Sequence, residues 1–221
     1  NTAWINDNTL YLMDMRKPKE ERTLLKMNPN SSMKMVPVVN SEKISKSILS
    51  AVGRTDTSMY IEWPSSFSST GKHGIYFFEE DIYMLDVPNE SYRRITNTKS
   101  EEKAARFSPD GKKISFVREN DIYIYDIRTQ KEKRITFSGS ETNLNGTVSW
   151  VYWEEIFGRK DLGYWWSDDS KAIAFLNTDE SEVTKMHYVH WKPAESELIT
   201  QRYPKAGTKN PVVKLGIIEL T

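Results

Sequence analysis

The sequence predicts an all-β protein, a partial β-propeller of about four four-stranded antiparallel blades, with a short helical inserted arm. Three observations carry that expectation. The triplet DIY stands at Asp81–Tyr83 and at Asp121–Tyr123, and RIT at Arg94–Thr96 and at Arg134–Thr136; both pairs are 40 residues apart. Two independent markers on one period of that length are the mark of a propeller blade. Within a unit, short alternating segments such as KKISFV and DIYIYDI are joined by Asp, Gly and Asn turns at about ten-residue spacing, the pattern of an antiparallel meander. Finally, FSPDGKKISF (Phe107 to Phe116) returns as WSDDSKAIAF (Trp166 to Phe175), 59 residues on. That is one period plus about twenty inserted residues. A β-sandwich explains the strands but not the period.

In chain order, residues 1–30, with NTLYLMDM and ERTLLKM, read as the end of a degenerate blade. Residues 40–70, with AVGRTDTSMYIEWPSSFSS, read as a stretch of serine-rich turns. Residues 73–98 and 104–138 hold the two clear repeats, and residues 139–165 are the insertion. Residues 166–203 begin another blade, and residues 210–221, where KLGIIELT (Lys214 to Thr221) alternates, start one more. A chain ending on a strand reads as one N-terminal propeller fragment over residues 1–221. Open blades leave two unpaired edges. The expectation is therefore either a shortened propeller that forms a homodimer through those edges or a small ring closed in an unusual way.

Composition narrows the function classes. Lys plus Arg and Asp plus Glu are equal at 31 each, so no bulk charge favours nucleic acid or an anionic membrane. Cysteine is absent, which excludes disulfides, zinc–thiolate sites and a cysteine nucleophile. No apolar run approaches a membrane span, and NTAWINDN lacks the basic start and apolar core of a signal peptide. The H-x-x-H of MHYVHW (Met186 to Trp191) sits on a predicted strand, where residues three apart face opposite sides, so no shared metal is expected. No phosphate-binding glycine loop occurs. NTDESEV (Asn177 to Val183) reads as a solvated acidic turn, and no cofactor is expected.

The insertion holds WVYWEEIFGR (Trp150 to Arg159), with two adjacent carboxylates, Glu154 and Glu155, among large aromatic residues. Trp150, Trp153 and Phe157 recur at helical spacing. A short helix docking through these aromatics presents Glu154 and Glu155 outward. Adjacent carboxylates repel, and a cation between them relieves this; the free α-amino group of a substrate is such a cation. The plain alternative is a solvated helix face, satisfied by Arg159 or Lys160.

WVYWEEIF, then GYWWSDDSKAIAF (Gly163 to Phe175), then RYPKAGTKNPVVKLGIIEL (Arg202 to Leu220) resemble, in order and spacing, the N-terminal propeller of the dipeptidyl peptidase IV family of serine peptidases. The resemblance is strong from about residue 104 onward. It implies that Glu154 and Glu155 grip the amino terminus of a peptide substrate. Where family members often carry a third acidic residue before the pair, this chain has Trp153. The family also supplies a carbonyl-binding arginine about eight residues before a DIY-type strand. That offset from Asp81 lands on His73, beside Lys72, so His73 is either a hydrogen-bond donor to substrate or a turn histidine in GKHG.

The family's chemistry needs a G-x-S-x-G serine with Asp and His, and no G-x-S-x-G occurs in this chain. The resemblance thus implies a C-terminal α/β-hydrolase domain as partner and a chain with no catalytic residues of its own. It implies a gate and amino-terminus reader for a peptidase that releases Xaa-Pro or Xaa-Ala dipeptides, in a periplasmic or extracellular setting. The alternatives are a non-catalytic propeller binding module or an inactive family member.

Overall fold

The alternating segments fold as strands. The computed structural model describes residues 1–55, 59–192 and 194–220; Asp56 to Ser58 of the serine-rich stretch and Thr221 of KLGIIELT lie outside the described residues. β1 (Thr2–Asn6), β2 (Thr9–Leu12), β3 (Leu25–Asn28) and β4 (Ser32–Pro37) form an antiparallel sheet in sequence order. Residues 1–37 thus hold a full four-stranded sheet, where the alternation predicts only the end of a blade. β4 hides from a pattern search because its methionines, Met33 and Met35, are solvent-exposed.

The serine-rich stretch starts with a helix that its sequence pattern did not predict, α1 (Ser41–Val52). The Asn40 side chain caps it by accepting the Lys43 N–H at 2.9 Å. Ile44 and Ile48, one turn apart, are its buried residues. Gly53 ends it at φ 70°, and the N–H groups of Gly53 and Arg54 donate to Ser50 and Leu49 carbonyls. A second sheet follows, β5 (Ser66–Phe67), β6 (His73–Phe78), β7 (Asp81–Asp86) and β8 (Ser91–Arg94). The Ser47 hydroxyl of α1 accepts the Tyr92 N–H at 2.8 Å and donates to the Tyr92 carbonyl at 3.3 Å. The helix thereby satisfies the free edge of β8. Ile44, Ile48, Tyr11, Leu24, Tyr76 and Leu85 pack together in the core beneath.

The third sheet is β9 (Glu102–Phe107), β10 (Lys113–Arg118), β11 (Asp121–Asp126) and β12 (Lys131–Arg134). Two-residue turns, Glu79-Glu80 and Glu119-Asn120, lead into β7 and β11. All four residues have positive φ, the backbone that matches strand twist in a tight hairpin.

The 40-residue repeats recur because one clasp recurs. Asp81, the first residue of β7, is buried and takes the Arg94 guanidinium, and Thr98 N–H donates to it at 3.1 Å. Asp121, the first residue of β11, is fully buried and takes the Arg134 guanidinium, with further donors from Thr136, Gly139 and Asn145. In both blades the arginine Nε also donates to the threonine carbonyl of its own RIT at 2.9 Å. The same threonine hydroxyl accepts the N–H of the residue after the aspartate at 2.8 Å. DIY and RIT are therefore two halves of a strand-to-strand lock.

The fourth sheet contains β13 (Asn143–Asn145), β14 (Tyr164–Trp166), β15 (Ala172–Asp179) and β18 (Val212–Glu219); β16 (Lys185–Trp191) and β17 (Ser196–Arg202) form a separate hairpin. β18 pairs with β15 along its whole length, from Ala172 opposite Glu219 to Asp179 opposite Val212. Residues 210–220 therefore complete a blade and do not start another. Exposed Leu215 and Ile217 on this strand imitate the beginning of a new unit in sequence. The described residues thus hold four blade-type sheets, and the predicted fold class holds. They fall into two compact units, residues 1–115 with 125–131, and residues 116–124 with 132–221. Among the described residues no helix is long and apolar enough to cross a membrane.

Candidate functional site

The candidate site belongs to the second unit. β13 and β14 both pair with one edge of β15, Asn145 opposite Asn177 and Tyr164 opposite Phe175. Residues 146–163 are thus an arm inserted into a single edge strand. Its two ends meet at a glycine neck. Gly146 N–H donates to the Leu176 carbonyl at 3.0 Å, Leu176 N–H donates to Gly163 at 2.7 Å, and Gly163 N–H donates to Gly146 at 2.8 Å. Gly146 has φ 80°, and a Cβ there would stand 2.7 Å from the Ile122 side chain, so only glycine suits this position. Below the neck, Asn145 donates to Asp121 and to Ser138, and accepts from Asn177. The repeat clasp is therefore also the anchor of the arm.

Above the neck, Asp161 accepts the Val148 N–H at 3.0 Å and ties the limbs together. A short helix starts at Trp150 and widens to a π-turn over Tyr152–Ile156, where Phe157 N–H donates to the Tyr152 carbonyl at 2.8 Å. The extra residue breaks the expected stripe. Trp150 and Trp153 meet edge-to-face at 6.2 Å, but Phe157 turns to Tyr152 at 6.4 Å. Tyr203 packs on Trp150 with ring centroids 5.2 Å apart. The distant RYPKAG segment thus steadies the arm, a role that single-sequence spacing does not reveal.

The two glutamates stand in unlike surroundings. Glu154 is partly covered and accepts the Arg159 Nε at 3.0 Å. Arg159 reaches back because it and Gly158 both take left-handed backbone, φ 64° and 60°. Glu155 is exposed, and among the described residues its carboxylate has no hydrogen bond or ion pair. Arg159, named in sequence only as the plain alternative, is the partner of one glutamate and leaves the other open.

His73 lies in the first unit and the glutamate pair in the second. It opens β6, opposite Asp86, and is half-buried near the Phe107 ring. Its N–H donates to Ser68 Oγ at 3.1 Å. Burial lowers its imidazole pKa, with Asp86 pulling the other way. On β16, His187 Nδ1 hydrogen-bonds Thr200, its cross-strand neighbour, at 2.8 Å. Among the described residues no group of His, Asp and Glu could hold a metal ion.

NTDESEV departs from a solvated turn at Glu180, which is only 9% exposed. Burial raises its carboxyl pKa; Arg202 opposes this and Asp161 adds to it. The folded chain thus holds the Glu180 proton more tightly than the unfolded chain. Stability is full below the ordinary glutamate pKa and falls as pH rises through the folded value. Glu180→Gln should therefore unfold at a higher temperature than the natural chain at pH 8 and at the same temperature below pH 4. Calorimetric scans at the two pH values check this.

The family defined as Dipeptidyl peptidase IV (DPP IV) N-terminal region matches residues 56–221. Prolyl endopeptidase FAP of Mus musculus is 36% identical over 86 residues, covering 38% of this chain and 11% of that protein. Dipeptidyl aminopeptidase B of Saccharomyces cerevisiae is 36% identical over 86 residues, 37% of this chain and 10% of that protein. The match thus spans about a tenth of the length of these curated relatives. The crystal structure of Porphyromonas gingivalis dipeptidyl peptidase 4 superposes with a TM-score of 0.76 at 25% identity, over 96% of this chain and 30% of that one. With three quarters of its residues inside the family match, the chain belongs to the dipeptidyl peptidase IV family, in its N-terminal region.

Proposed function

We propose that this chain is the amino-terminus reader and access gate of a serine dipeptidyl peptidase. The parent protein carries its catalytic serine in a C-terminal α/β-hydrolase domain and releases Xaa-Pro or Xaa-Ala dipeptides. The observation that carries the reading is the open Glu155 carboxylate beside Glu154 on an arm held at its neck by hydrogen bonds and steadied by Tyr203 packed on Trp150. A substrate ammonium supplies the cation that Glu155 lacks. Held there, it sets how far the chain extends toward the distant serine, so two residues pass and no more. The glutamates bind and orient, and they make or break no bond. His73 is a further candidate, as a hydrogen-bond donor to substrate.

The test uses the full-length protein and a Gly-Pro reporter, with its amino terminus free or acetylated. Rapid cleavage of the free form alone is expected. Equal cleavage of both would sink the reading and make the pair a solvated helix face. Cleavage of neither would favour a non-catalytic binding propeller.

Arg159 gives a second handle. Its guanidinium already occupies one acceptor of Glu154 and so competes with substrate. Exposed ion pairs contribute about 0–1 kcal/mol, so Arg159→Ala should lower KM for the free reporter by about two- to fivefold at unchanged kcat. Steady-state kinetics read this directly; a raised KM would mean that Arg159 instead holds Glu154 in its working orientation.

A further inference from the structure

A second acidic position lies in the same unit, away from the glutamate pair. An open cleft of about 560 Å³ lies between the arm root, the turn after β15 and the β16–β17 hairpin. Glu180 and Ser149 both line it. Both are more than nine-tenths buried, and both are unsatisfied. The Ser149 hydroxyl has no hydrogen-bond partner, and among the described residues the Glu180 carboxylate has neither a hydrogen bond nor an ion pair.

The neighbouring cations are already engaged. Lys185 pairs with Glu141 at 3.0 Å. Arg202 donates to the carbonyls of Glu180 and Val183, at 3.1 and 3.0 Å, and lies 3.6 Å from Glu141. Both cations thus meet Glu141, and among the described residues Glu180 is left without a direct partner, with Arg202 acting on it only through space; a buried carboxylate without a direct partner is costly. Leu144 and the Trp150 ring supply apolar wall beside it. An aliphatic stem suits that wall, and a cation suits an indole face as well as a carboxylate.

We propose that this cleft binds an ammonium or guanidinium group on an aliphatic stem, as on a lysine or arginine side chain of a peptide, with Glu180 as its counter-charge. The site is separate from the amino-terminus reader, and it does not require that reading to be correct. Ser149 adds an acceptor after rotation about its side-chain bond.

The test uses the full-length protein labelled with 5-fluorotryptophan, with the Trp150 resonance assigned through Trp150→Phe. The probe is N-acetyl-lysine N-methylamide, which carries a side-chain ammonium and no α-amino group. Saturable shifts of the Trp150 resonance are expected at millimolar probe. They should weaken at least tenfold in Glu180→Gln and stay unchanged in the Glu154→Gln, Glu155→Gln double variant. Loss of binding in that double variant instead would assign the cation to the arm and overturn the proposal. The uncharged norleucine analogue should not bind; equal binding would reduce the cleft to an apolar groove and also overturn it. Cadaverine separates the sources: tighter binding than the lysine probe identifies a free diamine, weaker binding a peptide side chain. Thr200→Lys, at an exposed position on the cleft wall, leaves Glu180 intact and supplies an internal cation. It should abolish binding with the Glu180 side chain unchanged. Absence of any Trp150 shift at tens of millimolar probe refutes the site.

Discussion

Changing Glu154 and Glu155 together to glutamine should lower kcat/KM of the full-length protein for a free-terminus Gly-Pro reporter by on the order of 10²–10³. An ammonium held by carboxylates that the bound peptide desolvates is worth about 2–5 kcal/mol, about 30- to 5,000-fold, which brackets that range. The singles should be unequal. Glu155→Gln should cost more than Glu154→Gln, because Glu154 already shares its charge with Arg159 while Glu155 has no partner among the described residues. The acetylated reporter, with no ammonium to lose, should be cleaved at the same slow rate by all variants. Stability should not move, since Glu155 is exposed and Glu154 makes only a surface ion pair. The kinetic comparison thus separates reading from folding. Singles of equal and negligible effect would remove the pair from substrate recognition.

Asp121→Ala should destabilise the chain by about 3 kcal/mol, measured as a lower urea midpoint at unchanged slope. Removing one member of a buried ion pair costs about 3–5 kcal/mol, and the lower end applies because Arg134 is partly exposed and can turn to water. Thr136, Gly139 and Asn145 lose their acceptor at the same time. Asp81→Ala removes the equivalent residue of the preceding blade. It should cost less, because among the described residues Asp81 receives donors from Arg94 and Thr98 alone. Equal midpoints for the two variants would mean that the extra donors around Asp121 add nothing. The substitution also cuts the tie from Asp121 to Asn145, and with it one anchor of the arm.

The blades were legible in sequence because the clasp demands particular residues at fixed positions. A buried aspartate needs its arginine and its threonine, and these return with the period of the blade. The arm was legible for a related reason, since an interruption of that period marks an insertion. Other features rest on contacts that spacing does not show. α1 is written with four serines and two lysines that look like turn residues, yet Ile44 and Ile48 are buried and Ala51 and Val52 pack against the same core. β18 alternates like the opening of a blade, but its register on β15 makes it the close of one. The π-turn adds one residue to the helical count and moves Phe157 off the stripe. Glu155 was identifiable from its neighbours, whereas the pairing of Glu154 depends on two left-handed residues after the helix. Tyr203 and Glu180 come to the arm from other segments, and no local pattern announces them.

The glycine neck has a consequence for how such proteins diversify. Because Gly146 and Gly163 bond to each other and both bond to Leu176, the sheet sees the same three hydrogen bonds whatever lies between the glycines. The arm is therefore a cassette. It can be lengthened, shortened or exchanged without shifting the register of the strands that hold it, so recognition can change while the scaffold stays the same.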